Sequence, residues 1–225
     1  MLRRVILPLI FGIGGFAVLM GLGLWQLQRL AWKEGVLAEI DARIGSAPVA
    51  LPAAPDAAAD RYLPVVVRGV FDGTELRVLA SSRDTGAAYR MIAAFDTDDG
   101  RRVLIDRGLL PVETPPVPIA GQAATVVGNL HWPDEIDSYT PPPDLSANLW
   151  FARDVPAMAE ALGTEPVLVI ARTIDGPDLA AQPLPVDTRD IPNNHLGYAV
   201  QWFGMALVWA GMTVFLLWRI RRRTN

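Results

Sequence analysis

Cysteine is absent from this chain of 225 residues. That excludes a disulfide framework, thiolate zinc sites, covalent c-type haem attachment and thiol-based copper relays. Histidine is scarce, with two copies, so a catalytic metal site has few ligands to draw on. An excess of positive charge is also missing. The formal net charge is −4, which argues against nucleic acid as a partner because phosphate neutralisation needs a basic face. No G-x-S-x-G, H-E-x-x-H, P-loop or G-x-G-x-x-G occurs, and none of Ser46, Ser81, Ser82, Ser138 and Ser146 sits in a nucleophile context. A hydrolase or a sensor finds little to stand on.

What is present is unevenly placed. Hydrophobic residues make up 51% and charged residues 20%, so something polar is attached to something greasy. Of the 20 basic residues, six (Arg3, Arg4, Arg219, Arg221, Arg222 and Arg223) sit at the two tips, leaving 14 among all 24 acids. The interior therefore carries −10 while both tips are purely basic. Two charge-free stretches separate these zones, Val5 to Gln28 and Leu196 to Trp218. At 1.5 Å per residue they reach roughly 36 and 34 Å, enough to cross a hydrocarbon core of about 30 Å. Both read as transmembrane helices. The first has an apolar run from Val5 to Trp25 that outlasts the apolar region of a signal peptide, and no small-x-small site precedes a soluble start, so it is expected to stay as an anchor. The arginines place both termini in the cytoplasm and the acidic middle outside. The simplest compartment is a bacterial inner membrane, with a periplasmic domain.

Apolar spacing from Leu27 to Ile44 carries the first helix beyond the membrane, until Gly45, Ser46 and Pro48 stop it. The Ala/Pro-rich stretch 45–62 reads as a loose linker. From Leu63 the pattern changes to short Val/Leu/Ile runs punctuated by Gly, Asp and Pro, which predicts strands at 64–71, 76–82, 89–96, 102–110, 124–132 and 166–171. Asp72-Gly73 and Asp99-Gly100 are hairpin-turn signals. Asp154, Pro156 and Gly163 frame one short helix. The predicted fold class is a membrane protein in which two transmembrane helices flank a mainly antiparallel β domain, small, α+β and partly open barrel-like, in the periplasm. Its predicted segments are 1–44 (anchor helix and extension), 45–62 (linker), 63–172 (β domain), 173–194 (proline-rich connection) and 195–225 (second membrane helix and basic tail).

The acidic pairs Asp98-Asp99 and Asp134-Glu135 lie beside turn signals and read as solvated loop charge, and His131 reads as a half-buried packing residue. His195 is different. It sits in Pro192-Asn193-Asn194-His195-Leu196, where an extended loop turns into a membrane helix and either asparagine can cap it. The partial positive charge of a helix N-terminus favours neutral imidazole, the form that ligates metals. Helical spacing puts Tyr198, Ala199, Trp202 and Ala206 on the His195 face, a greasy strip against which a flat amphiphile such as haem can lie. Arg29 and Lys33, one turn apart beyond the first span, suit carboxylates at the same level. The same residues equally suit an interfacial histidine that caps a helix, beside cations that anchor another to headgroups. Gly197, Gly204 and Gly211 form a seven-residue stripe on another face, and Ala17 with Gly21 a small-xxx-small pair, serving either the packing of the two spans or a partner's helix.

Three segments together carry a resemblance. GLGLWQLQRLAWK at the exit of the first span, VLIDRGLLP inside the β domain and PNNHLGYAVQWFGMA at the start of the second span resemble the Surfeit locus protein 1 family, from about Val5 to Trp218. Members of that family assist assembly of haem-copper terminal oxidases. The resemblance implies a non-enzymatic assembly factor for cytochrome c oxidase that binds a-type haem at the outer membrane surface and assists its insertion into the catalytic subunit. It implies that subunit as a partner, with haem a synthase as a candidate supplier and the lipid bilayer as the setting. The family's histidine matches His195, the implied axial ligand of the haem iron. Trp25, Gln26, Arg29 and Lys33 match the first motif, and Arg107, Gly108 and Pro111 match the middle one, where Leu109 replaces the Trp common in the family. In the implied site Arg29 and Lys33 neutralise propionates, Tyr198 and Trp202 wall the macrocycle, and Trp25 joins them. The missing cysteines agree with a haem role and disagree with copper delivery, which favours soft sulfur ligands. The alternative is a haem-free scaffold that stabilises an unassembled oxidase subunit.

Overall fold

The computed structural model describes residues 2–82, 85–176, 180–189 and 191–222, with side chains from residue 5 onward. Arg223 and the side chains of Arg3 and Arg4, counted above among the basic tips, lie outside that description, as do residues 177–179 and 190 of the proline-rich connection. Two compact units are formed, one by Met1–Glu39 with Thr188–Asn225 and the other by Ile40–Asp187.

The first unit is a pair of helices. α1 (Leu2–Ile44) is continuous for 43 residues, ending where Gly45 follows, and α3 (His195–Arg222) runs for 28. Both are long and apolar enough to cross a membrane. Their outward surfaces carry Leu7, Phe11, Leu207 and Val214, all strongly exposed, an apolar coat too extensive for water. The two helices fit a membrane protein.

Glycines on α1 let the helices meet. A Cβ added at Gly12 would collide with Thr213, one at Gly15 with the Trp209 indole and one at Gly23 with the Phe203 ring. Trp209 Nε1 donates to the Gly12 carbonyl at 3.0 Å. By contrast, a Cβ at Gly21, Gly197, Gly204 or Gly211 would meet nothing within 4 Å. The stripe of glycines expected on α3 therefore makes no close contact with α1, and the close approach uses glycines of the other helix.

The second unit is a five-stranded closed barrel. β2 (Pro64–Ser82), β3 (Gly86–Thr97), β4 (Arg102–Pro111), β7 (Leu168–Asp175) and β5 (Ala123–Leu130) pair in that order, and β5 returns to β2. Closure comes from one long bent strand. The segments 64–71 and 76–82, expected as two strands joined by a hairpin, form a single β2 whose register shifts between Phe71 and Glu75. Asp72-Gly73 is thus a bulge: Gly73 takes a φ of 104° and Asp72 Oδ1 accepts from Thr74 N at 2.7 Å. The bend lets β2 pair with β5 at one end and β3 at the other, so the barrel closes fully instead of staying partly open. Asp99-Gly100 does turn the β3–β4 hairpin, with Gly100 at φ 82°.

Alternation along the strands assigns the two faces. Val67, Phe95, Val103, Ile105, Val126 and Val169 fill the barrel interior. Their neighbours Leu104, Leu168 and Ile170 point outward and are covered by α2 (Val155–Leu162), which inserts Val155 and Met158. Each such side chain stabilises by roughly 1.5–3 kcal/mol. β4 is consequently buried on both faces. Asp154 caps α2 by accepting from Ala157 N, and Gly163 closes it in the left-handed conformation, as its sequence predicts. The Ala/Pro-rich stretch 45–62 is ordered rather than loose: Val49–Ala50 form β1, parallel to β2. The short strand β6 (Leu149–Trp150) also pairs with β2.

Candidate functional site

α3 begins at His195, and the Asn194 carbonyl accepts its first helical bond, from Tyr198 N at 3.1 Å, so Asn194 is the capping position. The His195 ring turns toward α1. Its Nδ1 lies 2.8 Å from Oε1 of Gln26, a side chain 9% exposed. An amide oxygen accepts, and the imidazole tautomer that donates to it from Nδ1 has its lone pair on Nε2. That is the tautomer in which a histidine binds metal through Nε2.

Lys33, two turns beyond Gln26 on the same face of α1, donates its ammonium to the carbonyl of Pro192. Pro192 is three residues from His195, at most about 11 Å along an extended chain. Arg29 lies between these two levels on an exposed flank, with its guanidinium 3.8 Å above the centre of the Trp32 ring. Trp25, on the same flank, is 54% exposed.

The greasy strip expected to receive a flat ring is largely closed. Ala199 and Ala206 are buried, at 1% and 0% exposure, and Trp202 is half-buried, because these positions share the His195 face, which α1 covers. Tyr198 is 51% exposed and stands beside that seam. It lines a recess of about 380 Å³ with Asn193, Asn194, Gly197 and Gln201. His195, Lys33 and Trp202 thus share the seam, while Tyr198, Trp25 and Arg29 are on open surface.

The sequence motif around Arg107 is structural. Asp106, fully buried, accepts from Arg90 Nε at 2.5 Å and faces Arg153 Nη1 at 3.4 Å, and it also accepts from Gly108 N at 3.0 Å. Arg107, 1% exposed, donates to Glu75 at 2.5 Å. Burial raises the Glu75 carboxyl above its ordinary range, against the pull of Arg107. Gly108 has φ 102°, and the backbone of Gln182 occupies the space a Cβ would need. Leu109 exchanges backbone hydrogen bonds with Gln182, both 2.8 Å. These residues tie β4 to the chain that leaves the barrel.

His131 stacks on Tyr62, with ring centroids 5.2 Å apart. Burial, with the Arg153 and Arg61 guanidinium groups nearby, pushes its pKa down to about 4, so it is neutral at physiological pH. Glu135 pairs with Arg153 and Asp99 accepts from Thr97, both as loop structure. No cluster of three or more metal-binding side chains occurs among the described residues.

Gln26 and Gln201 have no place in the haem site read from sequence. Both are polar side chains inside otherwise apolar spans, which is the signal that marks them.

The family model for the SURF1 family matches residues 14–207. Surfeit locus protein 1 of Homo sapiens is 32% identical over 213 residues, covering 83% of this chain and 69% of that protein. The Xenopus tropicalis protein of the same name is 31% identical, covering 82% and 67%. A SURF1-like protein of Drosophila melanogaster is 32% identical, covering 90% and 74%. With the match running through both helices and the barrel, this chain belongs to the SURF1 family.

Proposed function

We propose that this chain is a membrane-anchored, non-enzymatic assembly factor for a haem-copper terminal oxidase, cytochrome c oxidase, which holds a-type haem at the outer membrane surface and passes it to the catalytic subunit. Family membership supports the assembly role. The haem role is supported most by one observation, the 2.8 Å contact between Gln26 and His195. It joins two of the three segments that carry the family resemblance and, with the proton on Nδ1, leaves Nε2 as a lone-pair donor. Lys33 and Arg29 lie toward the aqueous side of that ligand, where the propionates of a haem emerge. The Lys33 ammonium uses one proton on Pro192 and has two more to donate. Tyr198 and Trp25 are open to the ring as flanking aromatics, with Trp202 behind His195.

Haem is cargo here, taken from haem a synthase and released to the oxidase, so a single protein ligand suits it better than a closed pair. The basic tips and acidic interior support a bacterial inner-membrane protein with cytoplasmic termini and a periplasmic barrel. The protein purified from cells that make haem a should carry it, and His195→Ala should lose the bound haem and its spectrum. An unchanged spectrum and stoichiometry in His195→Ala would remove His195 as the ligand. A second reading, a haem-free scaffold for an unassembled subunit, draws on the stripe of Gly197, Gly204 and Gly211, which makes no close contact with α1 and where another helix can approach closely. Co-purification of the subunit with cofactor-free protein, undiminished when haem a synthesis is blocked, favours that reading.

A further inference from the structure

Below the polar recess at the start of α3, an apolar groove of about 1140 Å³ runs along one flank of the packed helix pair. Phe11, Gly14 and Val18 wall it from α1, and Gly204, Met205 and Met212 from α3. Gly14 and Gly204 hollow it: a Cβ at either would meet nothing within 4 Å. Gln201 lines both the groove and the polar recess above it, so the two adjoin at that side chain, the recess polar and the groove apolar.

Helical spacing ties this groove to the haem site. On α1, steps of four and three residues lead from Phe11 through Gly15, Val18 and Leu22 to Trp25 and Arg29. On α3 the same steps lead from Met212 through Val208, Met205 and Gln201 to Tyr198 and Asn194. The flank that forms the groove is therefore the flank that presents Trp25, Arg29 and Tyr198 higher up. The groove begins six residues below His195, about 9 Å, and runs a further 16 Å or so to Met212.

We propose that this groove holds the isoprenoid tail of the haem. The inference rests on the haem reading above. An a-type haem carries a farnesyl-derived chain across the ring from its propionates. With the propionates at Arg29 and Lys33 and the iron at His195, that chain leaves the ring downward into the membrane, where the groove starts. The groove then selects tail-bearing haem over haem b, which has a vinyl group at that position.

The test uses the full-length protein, purified without haem in detergent and titrated with haem b, haem o and haem a, with binding followed by absorbance. Haem o carries the tail without the formyl group, so haem o against haem b isolates the tail. Wild type should bind haem o and haem a at least about tenfold more tightly than haem b. Filling the groove with Gly14→Leu and Gly204→Leu together should lower the first two to the haem b level and leave haem b unchanged. Equal affinities for haem o and haem b in wild type, or a difference that survives the filled groove, would overturn the proposal. A phospholipid that co-purifies in stoichiometric amount and is not displaced by haem o would do the same, assigning the groove to lipid. The underlying reading fails separately: His195→Ala then leaves binding of all three haems unchanged, or none binds to wild type. Loss of all three in His195→Ala with no effect of the tail overturns the groove alone.

Discussion

The chemistry proposed for His195 depends on a side chain 169 residues away in sequence. A lone imidazole at a helix N-terminus can rotate and exchange tautomers. In the proposed site Gln26 limits both by accepting from Nδ1, and the Gln26 side chain is itself buried (9% exposed). Gln26→Leu keeps bulk at the seam and removes the acceptor. It should weaken haem a binding about ten- to a hundredfold, with Gln26→Glu restoring most of it, while the unfolding midpoint of the apoprotein moves little. Haem titration of the three proteins reads the effect, and wild-type affinity in Gln26→Leu would exclude the amide from the site. The helix start at His195 was legible from its loop, since Pro192, two asparagines and a following apolar run announce it, and α3 begins there. The sequence marks Gln26 as a residue of the first family motif and as a polar side chain near the end of an apolar span, but not as a partner of His195. Nothing local in the sequence says which residue on a distant helix an amide will meet.

At the scale of elements, the existence of the helices was easier to read than their faces. Each span is apolar on every side, so hydrophobic periodicity offers no contrast between the lipid face and the packing face. Small residues are the remaining signal, and they occur on several faces: Gly197, Gly204 and Gly211 make no close contact with the other helix, whereas Gly12, Gly15 and Gly23 make the seam. This distinction predicts different tolerances. Gly23→Leu drives a side chain into the Phe203 ring one turn from the Gln26 and His195 pair. It should cost about 1–3 kcal/mol and lower both the thermal midpoint in detergent and the affinity for haem. Gly21→Leu, which meets open space, should change neither, and similar losses in both variants would contradict the assigned seam. The barrel shows the same division. Period-two alternation identified the strands, but Asp72-Gly73 signals a reversal and a bulge equally well. Only the pairing of β2 with both β3 and β5 decides for the bulge, and that depends on residues far along the chain.

On the scale of the whole molecule, the decisive quantity is the separation of charge along the chain. A net −4 conceals six arginines at the tips and −10 between them, and short basic flanks resist translocation whereas acidic segments contribute little to orientation. By that bias we predict that both termini stay in the cytoplasm and that the interior, barrel included, lies outside. The absence of cysteine makes this orientation directly measurable, because any thiol introduced is the only one. Ser138 is exposed in the barrel unit, and Thr224 follows the basic run at the other end of the chain. In cells with a permeabilised outer membrane and an intact inner one, a membrane-impermeant maleimide should label Ser138→Cys and leave Thr224→Cys unlabelled. Disrupting the inner membrane should expose Thr224→Cys without changing the labelling of Ser138→Cys. The reverse pattern would put the barrel in the cytoplasm and His195 at the wrong surface for delivery from outside. Labelling of both in intact cells would mean that the arginines do not set the orientation.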